Sequence, residues 1–254
     1  MHLDRDQFVR AGFTILRGAF EAAPLVAEME RALADARPAS AGAALATGDV
    51  EFAYVPMMCA RTPRSLALLD ALAPVAAQLL GGPVLPTRAK GVRYRGSTPW
   101  HVDSERPVAS VGFAAYLAPL SASTGALRVM AGSHRATTSA ARASELTADH
   151  GEALLTEPGD VIAFDEHLLH ASFGGTTRLQ WRLDYLRDPV RADEVQAVGA
   201  YFDAIFPAAS STTTTTTPYD AGAFPSYGPD WLASGRTCVA RLRDLGVYER
   251  ARGR

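Results

Sequence analysis

The chain has 254 residues, 48% of them hydrophobic and 20% charged, with a formal net charge of −2. That is enough apolar side chain for a substantial core, and all-β barrels of this size commonly fold as one unit, so residues 1–254 are read as a single domain. The charge balance gives no general pull toward nucleic acid or anionic membrane, and two distant cysteines, Cys59 and Cys238, indicate neither a disulfide framework nor a zinc site.

The N-terminus is charged and lacks the apolar stretch of a signal peptide, so a reducing cytoplasm is the expected setting. Asp4 is placed to cap a short helix carrying Phe8 and Val9 that ends near Gly12. Residues 13–16 read as a short strand. The spacing of Leu25, Met29 and Leu33 predicts a helix over 21–36, with Pro24 in its first turn and Pro38 as its stop. Residues 39–60 read as a loop with one strand. A second helix is predicted over 65–80, where Leu68, Leu69, Leu72, Val75, Ala76 and Leu79 form one stripe. This is the most apolar run of the chain, yet with Asp70 and Gln78 it is too short and too amphipathic to span a bilayer.

From Val84 the period changes to that of strands. Strands are expected over 88–94, through Thr98 to Asp103, and over 108–117, 125–130, 152–156, 161–170 and 178–186. A short helix is expected over 140–146, and Pro158, Gly159 and Asp160 form a tight turn. Many short strands separated by turns point to a sandwich, jelly roll or closed barrel, with the core over about 84–187 and helical flanks over 1–83 and 188–254. Residues 191–206 and 229–248 return to helix. The threonine-rich stretch 208–218 reads as a low-complexity tether, and the C-terminal arginines, among them Arg241, Arg243, Arg250 and Arg252, as a solvated face.

The chemistry concentrates around Trp100-His101-Val102-Asp103. In a strand, side chains at i and i+2 share a face, so His101 and Asp103 project together. One imidazole and one carboxylate can hold two corners of an octahedral metal. A second histidine from a distant strand completes the 2-His-1-carboxylate set that suits non-haem Fe(II) and leaves positions open. Of six histidines, His170 is the best third ligand, because it ends its strand beside the small residues Gly174 and Gly175. His167, at odd spacing from it, would face the other way. His134 sits in a turn where a structural hydrogen bond is the simpler role, and His2 and His150 read as surface residues.

In the last strand Leu179, Trp181, Leu183 and Tyr185 form one face, and Arg178, Gln180, Arg182 and Asp184 the other. If helices cover the apolar face, the polar face lines the barrel interior. A buried guanidinium there needs an anion, which either a dicarboxylate co-substrate or an internal Arg182–Asp184 pair would supply. There is no GxSxG, no CxxC, no phosphate-cradling loop and no dinucleotide fingerprint.

Several phrases in order resemble the phytanoyl-CoA dioxygenase-like family of Fe(II)/2-oxoglutarate oxygenases. They are Gly96 to Asp103, Tyr116 to Leu120 with Gly125 to Val129, Ala131-Gly132-Ser133-His134-Arg135, Glu157-Pro158-Gly159-Asp160-Val161, and His170-Ala171-Ser172 leading to Arg178. The resemblance implies a mainly β fold, a double-stranded β-helix of the jelly-roll kind with N- and C-terminal helices packed on one sheet. It implies iron held by His101, Asp103 and His170. It also implies a 2-oxoglutarate whose far carboxylate meets an arginine, with Arg178 as the match, Arg182 in reserve, and Thr98 and Ser172 as further co-substrate contacts. Ala131 stands where the family usually has proline, and Val102 replaces a frequent glutamine. The presence of Asp103 disfavours halogenation, which needs that iron position free.

What the resemblance implies chemically is consumption of dioxygen and 2-oxoglutarate, release of succinate and CO2, and oxidation of an unactivated C–H bond of a small organic molecule. The outcome would be hydroxylation, desaturation, cyclisation or epimerisation, as in specialised metabolism. Two other readings stand beside it: a non-catalytic jelly-roll binding protein, and a cupin-like metal-dependent isomerase that does not use 2-oxoglutarate. Substrate choice is expected from the variable segments 39–60, 105–108 and 132–146 and the C-terminal helices. Tyr54, Met57 and Tyr201 are pocket-lining candidates for which ordinary packing is the simpler role.

Overall fold

In the computed structural model, which describes residues 2–35, 51–136, 143–174, 177–205 and 227–248, the chain opens with helix α1 (Arg5–Ala11). Asp4 caps it by accepting the Gln7 N–H at 2.8 Å, and the chain turns out of it at Gly12. Strand β1 (Phe13–Leu16) and helix α2 (Ala22–Asp35) follow. Strand β2 (Glu51–Pro56) is the one strand expected in the loop 39–60. Helix α3 (Pro63–Leu80) buries the whole predicted stripe, from Leu68 to Leu79. Pro38, residues 39–50, Gly175, the threonine-rich stretch and Arg250 and Arg252 lie outside the described residues.

Among the described residues ten strands form two antiparallel sheets. The new ones are β3 (Val84–Arg95), β4 (Thr98–His101), β5 (Ser110–Tyr116), β6 (Leu127–Val129), β7 (Glu152–Leu154), β8 (Val161–Asp165), β9 (His170–Ser172) and β10 (Arg178–Arg187). The larger sheet runs β1-β8-β5-β10-β3-β2 and the smaller β4-β9-β6-β7. From β3 to β10 the chain passes back and forth between the two sheets, staying in one only for the β6–β7 pair, which is the winding of a double-stranded β-helix, a jelly-roll variant. Helices α4 (Ala192–Ile205), α5 (Pro229–Leu232) and α6 (Thr237–Asp244) join α1 to α3 in one core against the outer face of the larger sheet. None of the described helices is long and apolar enough to cross a membrane.

Two expected strands differ from the observed ones. The run 161–170 divides into β8 and β9, which belong to different sheets. The break is local chemistry: Asp165 accepts the His167 N–H on its side chain at 2.9 Å and the Leu168 N–H on its carbonyl at 2.9 Å, closing a turn. Strand β4 likewise ends at His101, so Asp103 lies beyond it. Of the helix expected over 140–146, residues 140–142 are not described, and the rest makes a single turn closed by Leu146 N–H on Ala143 C=O.

The helical layer fixes which face of β10 looks inward. Trp181, Leu183 and Tyr185 are fully buried among the helices. Trp181 donates its indole N–H to Ser65 Oγ at 2.7 Å, and Tyr185 its hydroxyl to Leu69 C=O at 2.7 Å. Arg178, Gln180, Arg182 and Asp184 therefore line the interior, and all four are buried. Met57 is core, and Tyr201 on α4 is buried with its hydroxyl on Glu166 Oε2 at 3.0 Å.

Glu28 illustrates how the layer is tied together. Its side chain is 1% exposed and accepts the Arg64 and Ser65 N–H groups, each at 2.8 Å. It thereby caps α3 from another helix, where Thr62 supplies no side-chain cap. Glu28→Ala is expected to lower stability by about 2–3 kcal/mol, from two charge-assisted bonds left unmade at a helix N-terminus. Urea unfolding reads this directly, with metal affinity of the folded protein unchanged.

Candidate metal centre

His101, Asp103 and His170, predicted from spacing, converge at the mouth of the interior, with one ligand atom of each within 4.8 Å of the others. His101 Nε2 is 3.8 Å from Asp103 Oδ1, His170 Nε2 is 3.7 Å from Asp103 Oδ2, and the imidazole centroids are 4.2 Å apart. Strands β4 and β9 bring the histidines together by pairing His101 with His170 in register. Asp103 is placed by a different device. Its backbone N–H and that of Ser104 both donate to Glu166 C=O, at 2.9 and 3.1 Å, which fastens the segment after β4 onto the turn between β8 and β9.

The donor set fits a divalent metal. His101 Nδ1 is 2.8 Å from Pro99 C=O, and His170 Nδ1 is 2.9 Å from Leu168 C=O. A carbonyl only accepts, so each Nδ1 carries a proton, and Nε2 is the ring nitrogen left to face the cluster, with a free lone pair in the neutral ring. Burial, helped by the neighbouring His101, lowers the His170 pKa to about 4, which keeps that ring neutral and ready to ligate. Burial alone would raise Asp103; Arg182, then the two imidazoles and Arg88, overcome it and hold the carboxyl well below the usual range.

Behind the cluster lies a buried charge network that the sequence pattern does not reveal as a unit. Arg182 donates Nη2 to Asp103 Oδ2 at 2.7 Å and Nε to Asp184 Oδ1 at 2.5 Å, and sits 3.6 Å from Glu166. Arg88 pairs with Asp184 and, at 3.3 Å, with Glu166. Lys90, on the same face of β3, is 2% exposed, and burial followed by Arg88 lowers its pKa well below the ordinary value. Burial and the nearby Asp184 push Glu166 up to about 7. The alternating Arg88 and Lys90 were the available signal for this face; Glu166, in what reads as a continuous strand, gave none.

Arg178 is a different kind of arginine. It is 2% exposed at the start of β10 and donates to two backbone carbonyls, Gly174 at 3.2 Å and Gly96 at 2.9 Å. Its Nε is buried without a hydrogen-bond partner, and no described carboxylate pairs with it. Tyr94 lies under the guanidinium, 5.6 Å from ring centroid to Cζ. Gly125, with a φ of 102°, leaves the space in which a β-carbon would collide with this side chain. Ser172 stands close by, with its hydroxyl on Gly125 C=O at 2.8 Å, and Thr98 is its register partner across β4 and β9.

The remaining histidines stay outside the cluster. His167 is held by Asp165 at 2.7 Å and by Arg106 C=O at 2.6 Å, and the Asp165 hydrogen bond raises its pKa. His134 packs against Gly12 with its Nδ1 buried and unpartnered. Neither Cys59 nor Cys238 forms a disulfide.

The chain is similar to known proteins in sequence and in fold. The family model described as Phytanoyl-CoA dioxygenase (PhyH) matches residues 8–182. Among solved structures, AviO1 from Streptomyces viridochromogenes Tue57 is 24% identical with a TM-score of 0.60, covering 75% of this chain and 98% of its own. EctD from S. alaskensis, solved with 2-oxoglutarate and 5-hydroxyectoine, is 26% identical with a TM-score of 0.59, covering 72% of this chain and 75% of its own. The non-heme alpha ketoglutarate dependent epimerase SnoN from nogalamycin biosynthesis is 18% identical with a TM-score of 0.61, covering 72% and 79%. SnoN has also been solved with Fe3+, alpha ketoglutarate and nogalamycin RO. No curated protein matches the chain.

Proposed function

The chain belongs to the phytanoyl-CoA dioxygenase family, and from that premise we propose that His101, Asp103 and His170 hold its ferrous iron while Arg178 receives the far carboxylate of 2-oxoglutarate. The protein is an Fe(II)/2-oxoglutarate-dependent dioxygenase. Bound iron, with the keto acid and dioxygen, supplies the oxidising chemistry that removes hydrogen from an unactivated C–H bond while 2-oxoglutarate becomes succinate and CO2.

The chain's own residues prepare that chemistry in three ways. The carbonyls of Pro99 and Leu168 fix the tautomers of the ligating rings. Buried Tyr116, Phe164 and Leu127 surround the interior with ring and aliphatic surface that excludes water. Arg178 offers a guanidinium whose charge meets no carboxylate among the described residues, and this is the observation that carries the co-substrate assignment. A buried cation without a counter-ion is costly, and a dicarboxylate arriving from solution removes that cost. Thr98 and Ser172 are proposed to line the same end.

The His101 side chain is 37% exposed and that of His170 only 6%, so the substrate is proposed to approach from the His101 side. The substrate is proposed to be a small organic molecule, oxidised by hydroxylation, desaturation, cyclisation or epimerisation in specialised metabolism. Anaerobic addition of Fe(II) and 2-oxoglutarate is expected to give a weak visible charge-transfer band, and admission of air to give succinate. Absence of both would remove this reading.

A further inference from the structure

From the contacts of Arg182 we infer that it is the positioning residue of Asp103, keeping that carboxylate a one-oxygen ligand and reserving the neighbouring metal position for the keto acid. The inference rests on the metal-centre reading and goes beyond it, because the last strand then carries two arginines with separate tasks.

The guanidinium of Arg182 sits in a built slot. Phe164 covers one face, with Cζ 4.4 Å from the ring centroid. Gly112 on β5, the register partner of Asp184 on one side and of Phe164 on the other, leaves space for it: a β-carbon there would collide with Nη2 and Cζ. Asp184 accepts the Nε–H at 2.5 Å and anchors the fork at its base. The outer nitrogen then reaches Asp103 Oδ2 at 2.7 Å. With the Asp103 backbone N–H on Glu166 C=O at 2.9 Å, the residue is held at both ends.

The geometric consequence is specific. A carboxylate with one oxygen committed to a charge-assisted bond offers the other to a metal, whereas a free carboxylate can chelate through both. A chelating aspartate would occupy a position that a bidentate keto acid needs. Lysine cannot substitute for arginine here. It retains the charge but has no planar fork to grip Asp184 and Asp103 at fixed separation.

The test is Mn(II) affinity in the absence of dioxygen, with 2-oxoglutarate affinity at saturating Mn(II) as the second readout. Arg182→Lys is expected to weaken Mn(II) binding about tenfold, as loss of a partner behind a metal ligand typically does, and to weaken 2-oxoglutarate binding at saturating Mn(II) several-fold as well, because a released Asp103 takes up the position the keto acid needs. Gly112→Ala, which pushes the guanidinium away without deleting it, is expected to move both readouts in the same direction. If both variants keep wild-type secondary structure and wild-type Mn(II) affinity, the inference fails. If Arg182→Lys weakens 2-oxoglutarate binding and spares Mn(II), Arg182 is the co-substrate anchor and the inference also fails. A crystal structure of the Mn(II)-loaded wild-type protein decides the case independently of any variant. It should show Asp103 bound through one oxygen with the other on Arg182, and a chelating Asp103 overturns the inference. Failure of the wild-type protein to bind Mn(II) would instead remove the metal-centre reading.

Discussion

Asp103→Ala is expected to abolish iron-dependent succinate formation and to weaken Mn(II) binding by more than about a hundredfold, beyond the 10–100-fold typical of losing an outer partner. The substitution removes the only carboxylate of the ligand set and leaves two imidazoles. It also removes one of the two close carboxylate partners of Arg182, whose Nη2 then faces a void beside Glu166. A stability loss is therefore expected as well, because breaking a buried ion pair leaves a charge uncompensated. Thermal melts read that loss and isothermal titration with Mn(II) reads the affinity. The two need separating, and Arg182→Lys provides the comparison, since it perturbs the same pair while retaining all three ligands. Wild-type Mn(II) affinity in a folded Asp103→Ala protein would refute the ligand assignment.

Arg178→Gln is expected to act on the other substrate-binding element alone. A charge-assisted hydrogen bond is worth about 1.5–3 kcal/mol, which corresponds to a rise in the KM for 2-oxoglutarate of roughly 10–150-fold. Turnover at saturating 2-oxoglutarate should fall much less, and Mn(II) affinity should stay within about twofold, because no ligand touches Arg178. The sign of the stability effect is the more discriminating result. Arg178 is buried with an unpartnered Nε and carbonyl acceptors only. Removing its charge is therefore expected to leave the melting temperature of the ligand-free protein unchanged or to raise it, the pattern of a site whose demands oppose stability. An unchanged KM would reassign the co-substrate carboxylate to another residue.

These two arginines mark the boundary of what could be read from the chain. The period-2 pattern of β10 placed Arg178 and Arg182 on one face, and the helical layer over the opposite face makes it the inward one. Pattern alone left their partners open, because the residue that engages Arg182, Asp103, comes from beyond β4, 79 residues earlier. Only the fold joins them. The N-terminal helices were legible almost to the residue, since Leu68 to Leu79 on α3 and the Asp4 cap of α1 are local signals, whereas 229–248, read as one helix, divides into α5 and α6. The strands around the metal centre were less so. Residues 161–164 and 168–169 are apolar on either side of Asp165-Glu166-His167, and that polar triplet was the available signal of the turn that Asp165 builds. His170 nevertheless reaches the cluster and His167 does not, through a change of sheet rather than through strand parity. His101 and Asp103 also converge for a reason other than shared strand face, because the Glu166 carbonyl holds the segment that follows β4. Glu166 itself gave no signal of its own: a buried acid between Asp165 and His167 acquires a role only when Arg88, Arg182 and Tyr201 are brought around it.

The most direct test is a crystal structure grown without dioxygen in the presence of Mn(II) and 2-oxoglutarate. It should place the ion on the Nε2 atoms of His101 and His170 and on one oxygen of Asp103, with the distal carboxylate of the keto acid against Arg178. An ion bound elsewhere, or a keto acid whose far end meets Arg182 while Arg178 keeps only its two backbone carbonyls, would contradict it.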